Sequence, residues 1–248
     1  MNVNFIITVN NRENYWPYLK EIFNSYKIIK PNIALCYNGN DKNFTADFKC
    51  INKGHIEGEI DLIIGGYNLL KNNKINKWVK IGVDSWLLNE EKILSIFNEM
   101  DKQNSIYGGS YWNGYDRLST DIFFASTENI NFLEELNYLY GPPGIEFKML
   151  QLINKFGGFY IIPERQYVDG CSGSRFVVES LGWVMQHDLR LNLKFVELYK
   201  QKHFLKEYNE EYYQIVMKKI NEFDWHNFIF VDQDIKKLDL QINEIMDL

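Results

Sequence analysis

Short apolar runs alternating with helix-periodic segments constrain this chain more than any single motif. Residues 3–9 form a β-rich apolar run whose end carries a polar cluster, Thr8, Asn10, Asn11 and Arg12. Leu19, Ile22, Phe23 and Tyr26 then recur at helical spacing within 16–26. Residues 33–37 are a second apolar run, preceded by Pro31 and followed by the turn pair Asn38-Gly39. The opening therefore reads β-α-β. Ile60, Ile63, Ile64, Tyr67 and Leu70 share one face of a following helix, weakened by the pair Gly65-Gly66. In the run 77–83, Val79, Ile81 and Val83 alternate onto one side, and the run ends at Asp84.

The pattern continues. Asn89 is a predicted N-cap, with Glu90 and Glu91 in the first turn and Ile93, Ile96, Phe97 and Met100 as the buried stripe. Residues 107–112 and 121–125 read as strands joined by a polar loop, and 130–140 as a helix. Gly141-Pro142-Pro143-Gly144 breaks the chain, and a helix striped by Ile145, Met149, Leu152, Ile153 and Phe156 runs to Gly157-Gly158. Residues 159–162 are a strand closed by Pro163, and 165–174 a loop. Residues 189–220 are charged, aromatic and helix-periodic, and 228–231 are strand-like within an acidic tail. Such alternation implies an α/β fold, a mostly parallel sheet with helices on both faces. Ligands of such sheets collect beyond the carboxyl ends of the strands. The Thr8–Arg12 cluster, Asn38 and Asp84 fall there, so they are expected to share one edge.

Several function classes are disfavoured. The chain has 27 Lys+Arg against 33 Asp+Glu, a formal charge of −6, which argues against nucleic acid as a partner. With 46% hydrophobic and 24% charged residues, it has the material for a folded core. Cys36, Cys50 and Cys171 show no CxxC spacing, so reduced thiols and a cytoplasmic location are expected. The apolar run 5–9 is too short for a signal peptide, and no window approaches the roughly 18–20 apolar residues of a membrane span. GxGxxG, GxxxxGK[ST] and GxSxG are all missing, which disfavours a dinucleotide dehydrogenase, a P-loop phosphotransferase and an α/β-hydrolase.

In this order the features resemble the GT-A-fold nucleotide-sugar glycosyltransferases, family 2 and its relatives, over about residues 3–190. The resemblance implies a Rossmann-like domain, 1–188, that binds a nucleotide sugar and carries catalysis, with a helical extension, 189–248, packed on the core. It assigns Thr8, Asn10, Asn11, Arg12 and Asn38 to the donor nucleoside. The polar stretch 52–58, with His55 and Gly58, would lead into a helix facing the donor. Val83-Asp84-Ser85-Trp86 stands where the family carries Asp-x-Asp, with Trp86 in the place of the second acid. Asp84 and Ser85 would then lie at the diphosphate, and Asp84 with His187 would hold Mn²⁺ or Mg²⁺, which stabilises the departing diphosphate. Lys53, Arg165 and Arg175 would serve instead in a metal-free site.

Glu146, at the start of the helix after the Gly-Pro-Pro-Gly loop, is the implied general base, with Asp116 and Asp121 competing. Tyr111, Trp112 and Asp116 would receive the acceptor, and Trp86 is a further aromatic face for a sugar ring. The expected activity is transfer of a sugar from a nucleoside-diphosphate sugar to a glycan hydroxyl, with inversion. A sugar-nucleotide nucleotidyltransferase and a non-catalytic carbohydrate- or nucleotide-binding protein stay open. So does a homo-oligomer contact through the C-terminal helical segment.

Overall fold

In a computed structural model, the residues described are 1–50, 54–71, 76–112, 118–126, 132–140, 144–156, 158–163, 167–168, 176–178, 182–185, 189, 192–193, 196–197 and 199–200. The order of elements is β1 (Asn2–Val9), a 3₁₀ turn (Glu13–Tyr15), α1 (Trp16–Ser25), β2 (Lys30–Tyr37), β3 (Phe48–Lys49), α2 (His55–Leu70) and β4 (Lys77–Gly82). There follow β5 (Ser85–Leu87), α3 (Glu90–Lys102), β6 (Tyr107–Gly109), β7 (Tyr111–Trp112), β8 (Ile122–Ser126), α4 (Phe132–Asn137) and α5 (Ile145–Phe156). The described elements end with β9 (Phe159–Ile161), β10 (Tyr167–Val168), β11 (Phe176–Val178) and β12 (Trp183–Met185).

Seven strands form the central sheet in the order β3-β2-β1-β4-β8-β6-β9. The pairs β1–β2, β1–β4, β2–β3 and β6–β9 are parallel, and β8 runs antiparallel to both β4 and β6. The expected α/β class is therefore what the chain adopts. From β1 the chain first winds out to β2 and β3, then returns to place β4 on the other side. The boundary between β1 and β4 is thus a topological switch point, where two crossovers diverge and leave a crevice at the carboxyl edge. A smaller sheet, β11-β12-β5, stands beside that edge, and β7 pairs with β10.

Burial on both faces explains the near-continuous apolar runs. Val3, Phe5, Ile7 and Val9 of β1 pack with Leu19, Ile22 and Phe23 of α1 and with Ile93, Ile96, Phe97 and Met100 of α3. On the opposite face, Ile6, Ala34 and Cys36 meet Ile60, Leu62 and Ile63 of α2, and α4 and α5 add Leu136, Met149 and Leu152. Val196 and Tyr199 join the first of these clusters. The tail 201–248, with its strand-like 228–231, lies outside the described residues.

Three local readings are refined. The strand β2 begins at Lys30 and includes Pro31, because β3 reaches only Cys36 and Tyr37 and leaves the first part of β2 as an edge. The expected single strand 107–112 divides at Ser110, with β6 in the central sheet and β7 outside it. Helix α2 starts at His55, so it absorbs the polar stretch before the apolar face. Gly65 and Gly66 lie within it because the sheet is too close for a side chain. A Cβ on Gly66 would stand 2.5 Å from Ile6 Cγ2, and one on Gly65 would enter the Phe48 ring. The N-cap of α3 is as expected, with the Asn89 side chain accepting from the Lys92 N–H at 3.1 Å.

Candidate functional site

Backbone hydrogen bonds gather the strand ends at the switch point. Val83 N–H donates to the Thr8 carbonyl at 2.9 Å, Asn38 N–H to Val9 at 2.9 Å, and Gly82 N–H to Asp121 at 3.0 Å. Thr8, Asn38 and Asp84 thus reach one edge, as the alternation of elements requires, and Asp121 reaches it because β8 runs antiparallel to β4. A Cβ on Gly82 would stand 2.9 Å from Asp84 Oδ1, so a side chain there would have to displace that carboxylate.

Beneath this edge lies a buried polar cluster centred on Glu59 of α2. Its Oε1 accepts from the Thr8 hydroxyl at 3.0 Å, and its Oε2 from Asn10 Nδ2 at 2.8 Å. The Lys80 ammonium, from the middle of β4, pairs with the same carboxylate and donates to the Thr120 carbonyl at 2.6 Å. Both charged side chains are nearly inaccessible, 3% exposed for Lys80 and 7% for Glu59. Asn38 Nδ2 donates to Asn10 Oδ1 at 3.1 Å and to the Gly54 carbonyl at 3.3 Å. Asn38 Oδ1 is buried and has no partner among the described residues. Gly58 abuts the Asn38 amide, into which any Cβ would collide. It therefore serves the packing of α2 on the tip of β2.

The second feature is an ion pair between Arg12 and Asp84. Asn11 takes a left-handed conformation (φ 54°), and its Oδ1 accepts from Asn40 N–H at 3.2 Å. Tyr15 N–H then bonds the Arg12 carbonyl at 3.1 Å and opens the 3₁₀ turn. Asp84 was expected to project into the crevice. Instead its side chain is 5% exposed and lies behind Arg12, which is 33% exposed. Burial pushes the Asp84 carboxyl above the usual carboxylate range, while Arg12 and Lys80 pull it back. Asn192 Nδ2 donates to the Asp84 carbonyl at 2.9 Å and fixes the turn from behind.

Two sequence readings change here. Trp86 offers no face to a sugar: it is fully buried, its indole N–H donates to the Val83 carbonyl at 2.9 Å, and Tyr15 meets it edge-on at 6.2 Å. Ser85 is likewise wholly buried, so its side chain does not line an open diphosphate site. Among the described residues, no three His, Cys, Asp or Glu side chains gather as a metal-ligand set.

On the acceptor side, the Asp121 carboxylate accepts from the Ser119 hydroxyl at 3.1 Å, and Asp121 is half-buried. Glu146 is half-buried in the first turn of α5, and its carbonyl accepts from Leu118 N–H at 3.2 Å. Both candidate bases are thereby held to one short segment, 118–121. Tyr111 bridges to Leu118 and meets Phe159 edge-on at 5.2 Å, which makes it partly a packing residue. Asp116, His187, Lys53, Arg165 and Arg175 lie outside the described residues, as do the side chains of His55 and Trp112. Sequence reasoning missed Glu59, Lys80 and Asn192. The readable signal was Lys80, a charge set within an apolar strand and therefore in need of a buried partner.

No protein-family profile and no curated protein matches the chain. Among solved structures, it is similar to a glycosyltransferase involved in glycosylation of the major capsid of PBCV-1. That match has 9% identity and a TM-score of 0.42, covering 65% of this chain and 81% of that one. It is similar also to residues 1–349 of S. aureus TarS in complex with UDP-GlcNAc, with 12% identity and a TM-score of 0.45, over 73% of this chain and 64% of that one. A third is a CMP:2-keto-3-deoxy-manno-octonic acid synthetase complexed with CTP, with 8% identity and a TM-score of 0.41, over 67% and 90%. What the site can do follows from the chain's own strand order and side chains.

Proposed function

We propose that the chain is a glycosyltransferase that moves a sugar from a nucleoside-diphosphate sugar to a carbohydrate hydroxyl. One observation carries the reading: the polar tips of β1, β2 and the β4–β5 turn meet, with Asp121, at the switch point of a mostly parallel sheet. Asn10 supports nucleoside recognition there, since it is half-buried at the tip of β1 and is held in place by its bonds to Glu59 and Asn38. Arg12, which follows β1, and Asp84, which follows β4, are joined at the same edge. Glu146 or Asp121 would take the proton of the acceptor hydroxyl. The acceptor oxygen would bond to the anomeric carbon as the bond to the diphosphate breaks, with inversion. The nucleoside diphosphate would leave with that electron pair.

The Mn²⁺ or Mg²⁺ suggested by the resemblance does not fit the described side chains well. Asp84 is engaged by Arg12, Trp86 is buried where a second acid would stand, and no three-ligand group is present among the described residues. No described helix is long and apolar enough to cross a membrane.

The test is a thermal-shift panel of UDP-, GDP-, ADP-, CDP- and dTDP-sugars, followed by detection of released diphosphate with carbohydrate acceptors. A ligand at about 100 times its Kd adds about 2.7 kcal/mol. Stabilisation by one class with diphosphate release supports transfer. Binding without turnover would make the chain a nucleotide-sugar-binding protein, and no binding at all would remove the reading.

A further inference from the structure

We propose that the positive charge on the donor's diphosphate is the guanidinium of Arg12 and that donor binding needs no divalent cation. This rests on the nucleotide-sugar reading of the site and goes beyond it by naming what holds the phosphates. The Asp84 side chain is 5% exposed and already carries a cation, because Arg12 Nη1 is bonded to its Oδ2. A divalent ion would have to evict that guanidinium from a buried anion, and a second carboxylate to help hold the ion is lacking in the turn. Trp86 is fully buried there, and its indole bond to Val83 locks it in place.

Arg12 itself is built to face a ligand. The left-handed Asn11 and the Tyr15 N–H bond fix the backbone on either side of it. Asp84 holds one corner of the guanidinium, and a third of the side chain stays accessible. Guanidinium carries five N–H donors in a planar fork. Among the described residues, Asp84 is the side chain that engages it, which leaves donors for oxygens arriving from the crevice. A fork of this kind suits bidentate contact with phosphate, and a partly buried setting strengthens it. Asp84 is then a positioning residue: it aims the guanidinium and offsets its charge when no ligand is present.

The experiment is equilibrium titration of the full chain with UDP, GDP, CDP, ADP and dTDP, each in EDTA and in Mn²⁺. One diphosphate is expected to bind with the same affinity in both. The variants are R12K and R12Q/D84N, the second chosen because it leaves no unpaired buried charge; thermal melts check folding. R12Q/D84N should weaken the diphosphate by about tenfold or more, with no rescue by Mn²⁺, while the matching nucleoside binds as before. R12K should fall between, since an ammonium supplies charge but not the fork. Binding that requires Mn²⁺, or folded Arg12 variants that bind the diphosphate as well as the parent, would overturn this proposal and leave the donor site standing. Failure of all five diphosphates in both buffers would instead overturn the donor-site reading.

Discussion

Replacing Lys80 by Met tests the interior of the site. The ammonium is buried in β4 and bonded to the Glu59 carboxylate and the Thr120 carbonyl. K80M matches its length and removes its charge. Thr8 and Asn10, which also donate to the Glu59 carboxylate, are neutral and do not replace that charge in a site sealed from water. Breaking a buried pair from one side costs about 3–5 kcal/mol. For a chain of this size each kcal/mol lowers Tm by about 2–4 °C, so K80M should melt about 6–20 °C lower. E59Q should cost a similar amount by stranding Lys80. The double variant E59Q/K80M leaves no unpaired charge and should cost less than the sum by about 2 kcal/mol or more. Urea denaturation of all four proteins at one pH measures this. A K80M loss below about 1 kcal/mol, or strict additivity in the cycle, would refute the claim that this pair organises the edge.

Other consequences are simpler to check. G66A should destabilise by about 1–3 kcal/mol by overpacking, despite alanine's better helix propensity, because Ile6 and Cys36 occupy the space; urea titration reads it. Cys36 is buried and its thiol is raised far above the usual range, chiefly by burial. Native protein at pH 8 should therefore leave Cys36 unmodified by a thiol reagent, as peptide mapping would show, and rapid labelling would contradict the packing. The Asp84 carboxyl titrates above its unfolded value, so the folded state holds that proton more tightly. Its stabilising contribution is full below that unfolded value of 3.8 and is lost as pH rises through the raised value. R12Q/D84N should accordingly gain stability relative to the parent as pH goes from about 4 to 7, measured by urea unfolding; an opposite trend would contradict the burial argument.

Much of the fold was legible because buried strands and amphipathic helices leave strong periodic marks. The apolar runs of β1, β2, β4, β6, β8 and β9 and the cap at Asn89 needed only local rules, whereas the two-residue β3 carries no such run. What escaped has a common cause. Glu59 and Lys80 are 21 positions apart, and their meeting depends on α2 crossing the sheet at the right height. The pair Gly65-Gly66 reads locally as a weakness and becomes meaningful only when the strand beneath is known. Trp86 invited a surface role on its chemistry alone, yet the β5 pairing with β12 turns it inward. Polar strand ends were easy to find. Which of them remained open to solvent was set by Arg12, whose partner lies 72 residues away.

The bond from Asn192 to the Asp84 carbonyl spans 108 positions. During synthesis, the turn bearing Asp84 leaves the ribosome long before the amide that clasps it. Until Asn192 arrives, that carbonyl lacks the side-chain donor that clasps it in the folded chain. A fragment cut at 188 would therefore lack the amide that fastens the turn bearing Asp84.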